Sequence, residues 1–217
     1  MAGLIEKDIR LLLQRKVLLI LFFVISIVVG FSKDGTFILG YIPFLTAMIL
    51  ISTISYDELD NGYQFLMTLP ISERLYVKEK YIFCMGGTAL AWVLAGILYM
   101  AAQITAGNEI VLSEQALEIL MFLCVVCILM AIMLPIQMKF GAERGRIVLL
   151  CVVGGAASVV ALITGLVNLS AGSVPLYLAG SISDSVIVIG IGSVAVTLLV
   201  LVISYHASVK IMQKKEF

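Results

Sequence analysis

The sequence predicts an all-α, polytopic membrane protein with six transmembrane helices, arranged as a single transmembrane domain over residues 1–217. Three observations carry this expectation. Of the 217 residues, 62% are hydrophobic and 13% charged, whereas soluble chains average about 45–50% apolar and about 25% charged. The mean hydropathy is +1.15. The apolar residues form six runs punctuated by charge, and the bases collect in alternate gaps. So little charge excludes a disordered chain, a secreted disulfide scaffold and an ordinary water-soluble enzyme. The formal net charge of zero gives no ground for a nucleic-acid partner.

Residues 1–16 read as an amphipathic helix. Ile5, Ile9 and Leu12 recur on one face, while Glu6, Lys7, Arg10 and Gln14 occupy another. Such a helix lies in the headgroup layer. A charged flank that only sets topology fits the same residues. The first apolar run, 17–31, is short; it can borrow Leu11, Leu12 and Leu13 with Arg15 and Lys16 snorkelling to the interface. Its mixed acids and bases, with no small-residue cleavage site after Phe31, favour an anchor over a signal peptide. The remaining runs are 36–56, 81–106, 116–138, 147–168 and 185–206. Roughly 20 residues cross about 30 Å of hydrocarbon at 1.5 Å per residue, so each reads as a span.

The bases set the orientation. Lys7, Arg10, Arg15 and Lys16 precede the first run, and Arg74, Lys78 and Lys80 lie between the second and third. Lys139, Arg144 and Arg146 lie between the fourth and fifth, and Lys210, Lys214 and Lys215 follow the sixth. Thirteen of the 14 bases thus share one side, with Lys33 alone opposite. The positive-inside rule makes that side, and both termini, cytoplasmic.

No Asp, Glu, Lys or Arg lies deep in a run, which argues against an ion or proton relay within this chain. Ser193 and the single histidine, His206, are 13 residues apart on one helix, or about 20 Å by rise, too far for a catalytic pair. No zinc-ligand spacing is present. Gly30 and Gly35-Thr36 have the spacing of a phosphate-binding loop but lack its lysine. Cys84, Cys124, Cys127 and Cys151 sit in apolar stretches and read as packing residues. The chain is therefore expected to be no enzyme and to carry no cofactor or metal of its own. Small residues mark close helix contacts: Gly87, Ala91 and Ala95 in the third run, and Gly154, Ala157, Ala161 and Gly165 in the fifth. These faces suit packing within one subunit or a dimer seam.

The segment 57–80 is too long for a tight turn and too apolar for a solvated linker. Ser55-x-x-Glu58 matches a capping pattern, and Asp57, Glu58 and Asp60 suit a helix N-terminus. Tyr63, Leu66 and Met67 form an apolar ridge, Pro70 breaks the helix behind Leu69, and Ser72 caps the next one. An exposed apolar helix of this kind asks for a cytoplasmic partner or rests on membrane lipid.

Here the residues carry a resemblance. The string Asp57-Glu58…Gly62…Leu66…Thr68-Leu69-Pro70-Ile71-Ser72…Arg74…Val77…Lys80-Tyr81 resembles the cytoplasmic loop of small bacterial type-2 ABC transporter permeases. Leu4-Ile5-x-Lys7-Asp8 is similar to their N-terminal start. Within that family the chain looks similar to the membrane subunits that export amphipathic peptides of the phenol-soluble-modulin type. The resemblance implies a permease in the bacterial plasma membrane, with residues 1–16 as an elbow helix. It implies a coupling helix in which Asp57, Glu58, Gly62, Leu66, Thr68, Leu69, Pro70, Ser72 and Arg74 receive the motion of a separate ABC ATPase. Two copies of that ATPase would hold the ATP and Mg. The resemblance further implies a second permease subunit, identical or paralogous. It makes residues 169–183, broken by Gly172, Pro175 and Gly180, a re-entrant outer gate. Tyr41, Phe44 and Met48 in the second span are candidates to line an apolar pathway, or to pack against neighbours. The competing reading is a membrane scaffold or sensor that transports nothing and docks a regulatory partner on its loop.

Overall fold

The structure, a computed structural model, describes residues 2–14, 16–31, 35–58, 72–107, 115–141 and 182–214. Among these residues the chain is all-helical: α1 (Ala2–Gln14), α2 (Lys16–Phe31), α3 (Thr36–Glu58), α4 (Glu73–Ala106), α5 (Gln115–Gly141) and α6 (Ile182–Lys214). Four of them, α3 to α6, are long and apolar enough to cross a membrane. The α1–α2 pair makes a fifth span if counted as one. The expected fifth run, 147–168, lies outside the described residues, as do Gly154, Ala157, Ala161, Gly165, Gly172, Pro175 and Gly180.

α1 and α2 are bent from each other by 65°, so Leu11, Leu12 and Leu13 belong to a span only where the bent pair is counted as one. On α1, Leu12 of the predicted Ile5, Ile9 and Leu12 stripe packs against the core. Leu4 and Asp8 are the buried positions and Ile9 is 43% exposed. A hydrophobicity pattern assigns an aspartate to the outside; here a lysine from α4 meets it inside.

α3 and α4 form the tightest pair and run antiparallel. Near the Ala106 end of α4, Ile38, Leu39 and Ile42 pack on Ala91, Ala95, Tyr99 and Ala102. Further along, a Cβ added at Gly87 would lie 2.7 Å from Leu50 Cδ1. The small-residue stripe of α4 thus buys close backbone approach inside this chain rather than a seam between copies. A second cluster joins five helices through Leu4, Leu50, Ile54, Tyr76, Met130, Leu134 and Met212. Its methionines are flexible enough to fill the irregular gaps where α5 and α6 meet α4. Outward faces stay apolar: Leu90 is 71% exposed and Ile104 63%. In lipid this surface costs nothing, whereas in water it would drive aggregation.

Polar side chains fasten the helices at intervals. Tyr81 Oη shares hydrogen bonds with Ser204 Oγ (2.6 Å) and Ser208 Oγ (2.9 Å), tying α4 to α6. Trp92 Nε1 donates to the Ile119 carbonyl at 2.8 Å, and Tyr99 Oη donates to Glu118 at 2.6 Å, tying α4 to α5. Gln137 donates to Ser55 Oγ at 2.5 Å. α4 begins at an N-cap, where Ser72 Oγ accepts from the Leu75 N–H at 3.3 Å, as the sequence predicts. It ends on Gly107, whose φ of 70° lets its N–H turn back to the Gln103 and Ile104 carbonyls.

Candidate functional site

The end of the bundle where α3 stops and α4 starts holds a cluster of buried charge. Thr53 and Asp57 stand four residues apart on α3, and Tyr76 and Lys80 four apart on α4. At that spacing two side chains lie one above the other on a single helix face. The two faces meet, and α1 closes over them with Lys7 and Asp8. Asp57 Oδ2 accepts from Tyr76 Oη at 2.9 Å and from Lys80 Nζ at 2.8 Å. Lys7 binds the other oxygen of Asp57 and stands 3.4 Å from Asp8. Lys80 also binds Asp8, reaches Thr53 Oγ1 at 3.3 Å, and lies 5.6 Å from the Tyr76 ring centre. Thr53 is free to accept because its own proton goes to the Leu50 carbonyl at 2.8 Å.

Asp8, Glu79 and Lys80 are wholly buried and Asp57 is 5% exposed. Removing such charges from water costs several kcal/mol per ion, an amount offset only where partners satisfy them. Two lysines face two aspartates, so the four balance. Glu79 is the remainder: neither carboxylate oxygen has a hydrogen-bond partner among the described residues.

The arrangement contains no nucleophile with a base, and no group of acids, histidines and cysteines fit to hold a metal occurs among the described residues. What it does is mechanical. It locks the turn of α1 to the last turn of α3 and the second turn of α4. The last turn of α3 is thereby fixed at Asp57, and α4 opens at the Ser72 cap.

The other sequence-predicted residues divide clearly. Glu58 turns from Asp57 towards α5, where a Cβ at Gly141 would lie within 2.2 Å of its carboxylate oxygens. Arg74 is exposed in the first turn of α4. Gly62, Leu66, Thr68, Leu69 and Pro70 lie outside the described residues, with the Tyr63 and Met67 ridge. The Ser55-x-x-Glu58 cap is corrected: α3 continues through Glu58, so Ser55 is inside a helix. Asp57 and Glu58 stand at a helix C-terminus, where the dipole disfavours carboxylates; Lys7 and Lys80 offset this at Asp57. The predicted 57–80 segment correspondingly shortens, since 57–58 and 73–80 belong to α3 and α4. Tyr41 stacks on Phe37 at 4.7 Å and meets Phe22 of α2 edge-on at 6.5 Å. Phe44 is exposed and Met48 packs against the core.

Sequence reasoning missed Lys7, Asp8, Tyr76, Glu79 and Lys80 as one unit. Its signal was present in part: opposite charges stand at the same end of three neighbouring helices, two of them in i, i+4 register with a hydroxyl.

A family model described as ABC-2 family transporter protein matches residues 3–213. No curated protein and no solved structure matches the chain.

Proposed function

The chain belongs to the ABC-2 family of transporter proteins, and from that premise we propose that it is the permease subunit of an ATP-driven exporter of amphipathic or hydrophobic substrates, peptides foremost. Members of this family are multi-pass membrane components of ABC transporters and associate with an ABC ATPase. In our reading two ATPases sit beneath two permease subunits, identical or paralogous, in a bacterial plasma membrane. Both termini are cytoplasmic, six helices span, and residues 1–16 form the elbow in the headgroup layer. The 65° bend between α1 and α2 and the thirteen bases on one side support this placement.

One observation carries the coupling assignment. Asp57, in the last turn of α3 before the segment 59–71, is bound to α1 and α4 at once. A push on this segment is then delivered to three helices together rather than absorbed by a slack loop. Glu58, Gly62, Leu66, the Thr68–Leu69–Pro70 kink, Ser72 and Arg74 form the surface the ATPase seats on. Spans with no charge deep inside them suit an apolar cargo and give no binding site for ions or sugars. Residues 169–183 close the outer side as a gate.

The test is co-purification with the partner ATPase of wild type and a Glu58→Arg, Leu66→Asp double variant. The variant is expected to lose the ATPase, or to retain it with hydrolysis no longer linked to export. Unchanged assembly and unchanged export would overturn the coupling assignment.

A further inference from the structure

At the same end of the bundle as the ion cluster, a cavity of about 480 Å³ opens between α5 and α6, lined by Lys139, Ala207, Lys210, Ile211 and Lys214. Its α6 wall follows from helix geometry: positions 207, 210, 211 and 214 have the i, i+3, i+4, i+7 spacing of one face. Lys139 enters from the last turn of α5. All three lysines are exposed, and among the described residues no carboxylate lines the cavity and none of the three is in an ion pair. Among the other described bases, Lys7, Arg10 and Lys80 are each held by an acid.

The face continues away from the lysines as hydrocarbon. Stepping back four residues at a time from Ile211 and Ala207 leads to Ile203 and Leu199, 60% and 59% exposed. On α5, Ile132, two turns before Lys139, is 37% exposed. A track of exposed aliphatic side chains thus ends in three converging ammonium groups. An acidic protein surface would match the lysines and leave the track bare; a free phosphate would do the same. An amphiphile with one anionic end matches both parts.

We propose that the groove between α5 and α6 binds an anionic phospholipid, its phosphodiester headgroup among Lys139, Lys210 and Lys214 and an acyl chain along Ala207, Ile203 and Leu199. The cavity is many times the roughly 30 Å³ share of a water, so it takes a headgroup. Basic pockets between membrane helices are suited to such headgroups, each lysine adding attraction at close range. The proposal rests on membrane placement alone and stands apart from the coupling and substrate assignments. The C-termini of α5 and α6 also favour nearby cations through their dipoles, a purely structural use of the lysines that binds no lipid.

The experiment uses the full chain purified from nanodiscs of equal phosphatidylglycerol and phosphatidylcholine, with retained lipids counted by native mass spectrometry. Wild type is expected to retain phosphatidylglycerol preferentially. A Lys139→Gln, Lys210→Gln, Lys214→Gln variant is expected to lose affinity for it on the order of a hundredfold. The Lys→Arg variant at the same three positions is expected to keep the preference, which controls for folding. Glycerol phosphate without acyl chains is expected to displace the lipid poorly. Equal retention by wild type and the glutamine variant overturns the proposal. So does displacement by glycerol phosphate at lipid concentrations, which would make the site one for free phosphate. Loss of ATPase binding with lipid retention unchanged would assign the lysines to the partner instead.

Discussion

Lys80 is the residue on which the buried cluster turns. It touches Asp8, Asp57, Thr53 and the face of Tyr76 with no exposure of its own. Replacing it by methionine keeps the volume and strands two buried aspartates, the situation in which breaking a buried pair costs about 3–5 kcal/mol. Lys80→Met is therefore expected to lower the thermal unfolding midpoint in detergent sharply. Glu79→Gln removes a buried carboxylate that has no hydrogen-bond partner among the described residues, so it is expected to leave the midpoint unchanged or raised. Equal losses in the two variants would show that burial alone, and not pairing, decides their effect. The sequence offered these residues only in separate resemblance strings, Lys7 and Asp8 in one and Asp57 and Lys80 in another. Charges flanking an apolar run look the same whether they snorkel to water or fold inward. Asp8 is buried only because α1 turns back by 65°, which brings residues 72 positions apart into contact.

At the scale of elements, the α3–α4 pair gives two neighbouring glycines opposite roles. A side chain at Gly87 meets Leu50 at 2.7 Å, while one at Gly86 meets nothing within 4 Å. Gly87→Leu is expected to cost about 1–3 kcal/mol by forcing α3 off α4. Gly86→Ala is expected to be neutral or stabilising by about 0.5–1 kcal/mol, since alanine holds a helix better. Unfolding of both variants in the same detergent checks the contrast. Four of the six predicted spans, α3 to α6, were legible in the runs 36–56, 81–106, 116–138 and 185–206, because hydrocarbon demands about 20 apolar residues and those runs supply them. Their ends were less so. α4 begins at Glu73, eight residues before the apolar run that marks it, because a helix outside hydrocarbon no longer needs apolar residues. The capping signal at Ser55 failed for the same reason: α3 extends into polar sequence that local pattern assigns to a new helix.

For the whole molecule, the orientation rests on where the bases lie and is open to direct labelling. With Cys151 replaced by serine, the cysteines at 84, 124 and 127 remain buried. Single cysteines at Ser72 and Ala106 then mark the two ends of α4. In intact cells a membrane-impermeant maleimide is expected to label Ala106→Cys at once and Ser72→Cys only after permeabilisation; the reverse pattern would invert the topology. α4 gives this axis a further meaning. Its 34 residues contain no proline, a length of about 50 Å at 1.5 Å per residue, well beyond the hydrocarbon. It packs on α1, α2, α3 and α6 and hydrogen-bonds α5. Such a rod behaves as a lever: a tilt of about 5° at its Ser72 end swings the Ala106 end through about 4 Å. A small displacement received on one face of the membrane is thereby enlarged into one the size of a side chain on the other.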